Sequence, residues 1–168
     1  MFRHADQRGE GGILKKGWAQ HTTVGSGMYH SEINDRPDEP MRFIQMWFFP
    51  DRPGLKPSVE QKPVEKSERT DRLLPLVSNH APGALRIHQD VEVFSSFIKN
   101  GRSVAHVGKK GRGAYLYVLD GGPVVLNGRQ EVPTFGAAII RGVPDLEIQA
   151  QRDSAELLLV DVPLARDT

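Results

Sequence analysis

The sequence predicts an all-β fold of the sandwich or barrel kind. Three observations carry that expectation. Short apolar runs recur about every 8–12 residues with turn signals between them. With 17 Gly and 12 Pro, the 168-residue chain is rich in turn formers. No segment combines a 3.6-residue apolar period with helix caps, and Asp153–Glu156 has room for one turn at most. The apolar fraction of 38% and charged fraction of 26% are ordinary for a globular protein, and the length allows one large domain or two small ones.

The elements read in order as follows. Ile13 and Leu14 lead into the turn Lys15-Lys16-Gly17, and Trp18 to Thr23 is extended. Met28 to Asn34 is the next extended run. Met41-Arg-Phe-Ile-Gln-Met-Trp-Phe-Phe49, bracketed by Pro40 and Pro50, is the strongest strand signal in the chain. Its near-continuous apolar character predicts burial on both faces. Gln45, an amide among apolar neighbours, then needs a hydrogen-bond partner. Residues 51–72 change character: Asp51-Arg-Pro-Gly54, Lys56-Pro57, Lys62-Pro63 and a charge cluster through Asp71 read as an exposed connection. The second half is a hairpin series: Leu85–His88, Val91–Phe94, Arg102–Val107, Ala114–Leu119, Val124–Leu126, Ala137–Ile140, Leu146–Gln149 and Leu157–Val160. Asn127-Gly128 is a strong hairpin turn. These boundaries predict a first lobe over 1–50, a connection over 51–84 and a second lobe over 85–168.

Composition narrows the function classes. A net charge of +1, with no basic stripe interleaved with aromatics, gives no electrostatic case for nucleic acid. Zero cysteines exclude disulfides and thiolate ligands. No apolar run approaches the ~20 residues that span a bilayer, and Met1–Asp6 has no signal-peptide core, so a cytoplasmic protein is expected. Gly108-Lys-Lys-Gly-Arg-Gly113 is glycine-rich and basic but fits no phosphate-binding loop, and reads as a solvated hairpin loop.

The chemistry-bearing segment is Gly25-Ser-Gly27-Met-Tyr-His30-Ser-Glu32. A Gly-x-Gly turn leads into a strand on which positions i and i+2 share a face, so the His30 imidazole and the Glu32 carboxylate converge. That is half of a divalent-metal site of nitrogen and oxygen donors. An isolated His-x-Glu is better explained by two side chains that satisfy each other. His21 reads as a surface or core histidine, and His80, His88 and His106 are scattered without metal-ligand spacing.

This segment resembles the A-G-x-G-x-x-H-S-E signature of the pirins and bacterial quercetinase-like proteins. Gln45-Met-Trp47-Phe-Phe-Pro50 is similar to that family's Q-x-W-x-x-P strand, and Pro57–Gln61 to its P-x-x-x-Q connection. Ile87–Asp90, Asn127-Gly128 and Glu156–Asp161 resemble parts of its second cupin. The resemblance implies a bicupin: two β-barrel or jelly-roll lobes in tandem; the second lacks an H-x-H and an H-x-E and reads as a metal-free structural cupin. In the family three His and one Glu hold the metal. His30 and Glu32 match the later pair, and the H-P-H motif that supplies the other two would lie before Met1. His4 and Asp6 look like the H-x-D just after that part, and His4 is expected to reach the site only if the N-terminus rearranges. Lys16-Gly17-Trp18 stands where the family commonly has P-G-D. The expectation is therefore a first barrel lacking its N-terminal part, either a shortened protein or a start codon placed too late. Its open edge beside Met41–Phe49 predicts homodimerisation, strand swapping or low stability.

Three functions follow from the resemblance. The first is a quercetin (flavonol) 2,3-dioxygenase-type activity, impaired by the missing H-P-H ligands. Here His30 and Glu32 are metal ligands and Glu32 is also the catalytic base for a flavonol-like substrate. The metal is iron first, with nickel, copper, manganese, cobalt or zinc as alternatives. The second is a non-enzymatic regulatory or binding protein that acts through protein contacts, not DNA. The third is a degenerate paralogue without activity.

Overall fold

The structure, a computed structural model, describes residues 1–9, 11–36 and 38–164. Among them the chain is nearly all strand. The first strands are β1 (Phe2–Asp6), β2 (Gly11–Leu14), β3 (Ala19–Thr23), β4 (His30–Asn34) and β5 (Ser58–Lys62). After a single 3-10 turn at Lys66–Arg69 come β6 (Leu74–Val77), β7 (Glu92–Ile98), β8 (Ser103–Val107), β9 (Arg112–Gly121) and β10 (Val124–Leu126). The last are β11 (Gln130–Val132), β12 (Ala137–Arg141), β13 (Asp145–Ala150) and β14 (Ala155–Pro163). No helix among the described residues is long and apolar enough to cross a membrane. The chain forms two compact units: Met1–Glu65 with Leu85–Gln89, and Lys66–Ala84 with the chain from Asp90 onward. Residues 51–84, expected as a connection, instead carry β5 in the first unit and the 3-10 turn and β6 in the second.

The second unit is a two-sheet sandwich. One sheet has the order β11-β10-β13-β8 and the other β12-β9-β14-β7-β6, with every named pairing antiparallel. Alternation places one set of side chains inward. On β13, Leu146, Ile148 and Ala150 are buried while Asp145 and Glu147 are exposed. Ile98, Leu116, Val118, Ile148, Leu157 and Leu159 meet in one core cluster. Full burial of each large side chain contributes roughly 1.5–3 kcal/mol. Asn127 and Gly128 both have positive φ and close the β10–β11 hairpin, with Arg129 N–H donating to Leu126 C=O at 2.9 Å.

One polar cluster joins the two sheets. Asp161 on β14 is buried; His106 Nε2 on β8 lies 2.7 Å from its Oδ2, and Arg112 Nε donates to its Oδ1. Arg112 Nη1 also lies 2.7 Å from Asp90 Oδ1. The Gly108–Gly113 loop does expose Lys109 and Lys110, while Arg112 is largely drawn into this ion cluster.

The first unit is built from a three-stranded sheet, β2-β1-β4, and a separate pair, β3-β5. β1 runs antiparallel to both neighbours, with His4 opposite Gly12 on β2 and opposite Glu32 on β4. The Gly25-Ser-Gly27 turn has a steric reason. Gly25 has φ +57°, and a Cβ there would sit 2.1 Å from the Leu55 carbonyl oxygen, which accepts the Ser26 N–H at 3.0 Å.

The Met41–Phe49 expectation is corrected. The segment forms no strand, and instead of being buried on both faces it exposes Phe43, Ile44, Met46, Trp47 and Phe49. Trp47 is 84% and Phe49 90% accessible. A strand needs a neighbour for its N–H and C=O groups. Composition supplies β propensity but no partner, and no described strand pairs with this segment.

Candidate metal centre

The centre forms on the β1–β4 strand pair. Directly opposed residues of an antiparallel pair share a face, as do residues two apart on one strand. His4 is opposite Glu32 and Asp6 is opposite His30, so the register gathers His4, Asp6, His30 and Glu32 on one face. Three of the four converge: donor atoms of His4, His30 and Glu32 all lie within 4.8 Å of one another. His30 Nε2 is 3.7 Å from Glu32 Oε1, and the His4 and His30 ring centroids are 5.1 Å apart. Asp6 is engaged elsewhere. Its carboxylate accepts the Arg8 backbone N–H at 2.8 Å, and Arg8 Nε and Nη2 at 3.1 Å each.

The three donors differ in setting. His4 is 1% exposed, and neither of its ring nitrogens has a hydrogen-bond partner among the described residues. Burial holds its pKa below the ordinary 6.5, and the neighbouring His30 lowers it further against the opposing pull of Glu32 and Asp6. A neutral imidazole keeps a lone pair for a ligand. His30 and Glu32 are more accessible, with side chains 32% and 26% exposed. Glu32 is oriented by a short relay. Gln45 Nε2 donates to its Oε1 at 3.2 Å, and Trp47 Nε1 donates to Gln45 Oε1 at 3.0 Å.

Gly11 on β2 is what lets His4 lie where it does. A Cβ on Gly11 would approach the His4 carbonyl oxygen to 2.3 Å and its Nδ1 to 2.8 Å, and Gly11 has φ +139°. Only glycine fits there without moving the histidine.

The donor set fits a divalent cation. Two donors of one ion, each about 2.1 Å from it, lie no more than about 4.2 Å apart. The His30–Glu32 pair already satisfies that limit, and the whole set is close to it. Two imidazoles and a carboxylate suit iron, cobalt, nickel, copper or zinc better than magnesium or calcium. Water, or a cation, is what a buried imidazole without protein partners requires.

The expected residues His30 and Glu32 are thus found side by side on β4, with Gln45 on Glu32. His4, expected to reach the site only if the N-terminus rearranges, lies beside Glu32 because β1 pairs with β4. The signal was present in His4-x-Asp6 on a short strand, but only the register reveals which strand it opposes. His21 lies on β3, half-buried, and does not join the group; burial lowers its pKa as well. Among the described residues, no group of three potential metal ligands occurs in the second unit.

A β fold with nitrogen and oxygen donors gathered on the β1–β4 pair is that of a cupin with a candidate metal site. The model of the family described as Pirin matches residues 1–48, and that described as the quercetinase C-terminal cupin domain matches residues 76–162. The chain belongs to the pirin family. A Pseudomonas aeruginosa protein provisionally named a quercetin 2,3-dioxygenase is 37% identical over 161 residues, 95% of this chain and 68% of that protein. The Escherichia coli K12 protein named quercetin 2,3-dioxygenase is 30% identical over 161 residues, 95% of this chain and 67% of its own length. The crystal structure of the Escherichia coli pirin YhhW in complex with nickel(II) superposes with a TM-score of 0.86 at 26% identity, over 98% of this chain and 69% of that one.

Proposed function

We propose that the chain is a metal-dependent dioxygenase of the quercetinase type, acting on a flavonol-like enol. The observation that carries the reading is the convergence of His4, His30 and Glu32 within 4.8 Å on one strand pair. The relatives named quercetin 2,3-dioxygenase and the nickel(II) complex of YhhW support it. When bound, a divalent cation supplies Lewis-acid polarisation of an enolic oxygen and open coordination positions. His30 would hold that cation through a ring nitrogen. Glu32 is a ligand and also the proton acceptor, taking the flavonol hydroxyl proton on a carboxylate oxygen. Gln45 keeps the Glu32 carboxylate in one orientation. Trp47, tied by its indole N–H to Gln45, presents an exposed ring on which a planar substrate can stack.

The test is aerobic incubation of the metal-loaded chain with quercetin, following loss of flavonol absorbance and release of carbon monoxide. Turnover that disappears in Glu32→Gln is the expected result. A metal-loaded chain that leaves quercetin intact would overturn the reading. It would then favour a pirin-like binding protein, a role for which the exposed Phe43–Phe49 surface is the supporting observation.

A further inference from the structure

We infer that His4 is itself a ligand of the divalent cation, so that His4, His30 and Glu32 form a two-histidine, one-carboxylate triad across the β1–β4 pair. The inference rests on the metal-centre reading above and deepens it.

Buried polar side chains in native proteins almost always have partners. Asp6, the other buried polar residue of the same strand, is held by three Arg8 donors, and His106 of the second unit is held by Asp161. His4 departs from that rule on both ring nitrogens. A histidine serving only as packing donates one N–H, because a buried donor left without an acceptor is destabilising. The position is also enforced. The register sets His4 against Glu32, and a one-residue slip of β1 would turn it to the other face. Gly11, at a positive φ that glycine adopts freely, leaves the space its ring occupies. A residue kept buried, unpartnered and within reach of an imidazole and a carboxylate has the attributes of a metal ligand. Two imidazoles and one carboxylate on one side of an ion leave its remaining positions open, the arrangement used by non-haem iron(II) oxygenases.

Cobalt(II) loaded into the purified full chain provides the test, read by X-ray absorption and by hyperfine-shifted NMR of histidine-labelled protein. The expected result is two coordinated imidazoles per cobalt in the wild type. His4→Ala should retain one and bind cobalt at least about tenfold more weakly. His21→Ala should keep both and bind as the wild type does. A single imidazole in the wild type, unchanged binding with two imidazoles in His4→Ala, or no cobalt binding at all would overturn the inference. The wild-type count needs no substitution, so a His4→Ala chain that fails to fold leaves the test decisive. Two imidazoles without quercetin turnover would sustain the His4 assignment and sink the dioxygenase reading; turnover with one imidazole would do the reverse.

Discussion

The two units use burial for opposite ends. In the second, Val93, Ile98, Leu116, Val118, Ile148, Leu157 and Leu159 are fully buried. In the first, the buried residues among those described are His4, Asp6, Val64 and Leu85, so half of them are polar. The first unit also exposes Tyr29, Trp47 and Phe49, each more than four-fifths accessible. The second unit therefore has the apolar interior that stabilises a fold, while the first encloses His4, one of the three converging donors, and Asp6, which is held by Arg8. Burying an imidazole without a protein partner is a stability cost that its own unit does little to offset.

Substitutions can break this contrast. The largest effect belongs to the second unit's core. Leu157→Ala should lose about 2–5 kcal/mol, seen as a lower urea midpoint, and an unchanged midpoint would contradict the sandwich core. Asp161→Ala should cost about 2–3 kcal/mol by stranding His106 and Arg112; Arg112 keeps Asp90, which limits the loss. Equal stability of Asp161→Ala and wild type would show that the inter-sheet cluster is not structural.

The first unit should respond locally. Gly11→Ala forces a Cβ against His4 at a positive φ, a strain of about 1–3 kcal/mol. Its signature is a loss of cobalt affinity, with the amide exchange of β9 and β14 unchanged. Cobalt binding as tight as wild type would mean that the His4 position is not enforced.

The metal-free chain should also carry a pH dependence. Burial holds His4 and His21 below 6.5 in the folded state, with His30 and His88 respectively lowering them further and Glu32, Asp6 and Glu60 opposing. The unfolded chain therefore binds more protons on these imidazoles below about pH 6.5. Stability is present in full above that pH and falls as pH drops from 7.5 to 5.5. Denaturation midpoints at the two pH values measure it, and His4→Ala should flatten the slope; no slope in the wild type would contradict the buried neutral imidazoles. The smallest effect is expected at Trp47→Ala, within about 0.5 kcal/mol of wild-type stability, because the ring is exposed. A larger loss would show that the segment is packed in solution.

What was legible in the sequence follows from the range of the signal. Asn127-Gly128 and the extended run Leu146–Gln149 are local, and both appear as read: a hairpin turn and a strand. His30 and Glu32 are two apart on one strand, so their shared face needs no tertiary knowledge. His4 needs the β1–β4 register, which pairs residues 28 apart and leaves no mark in either segment alone. Ser58–Lys62 hides a strand inside a charged, proline-flanked stretch, because β5 owes its existence to β3. Met41–Phe49 errs in the other direction: apolar composition reads as a buried strand, but pairing and burial belong to neighbours, not to composition.

The central claim is that the first unit is a metal centre. Elemental analysis of the purified 168-residue chain, beside His30→Ala and Glu32→Gln, tests it most directly. The account predicts close to one divalent transition metal per wild-type chain and a strong loss in both variants. A wild-type chain that retains no metal after supply of iron, cobalt or nickel would contradict it.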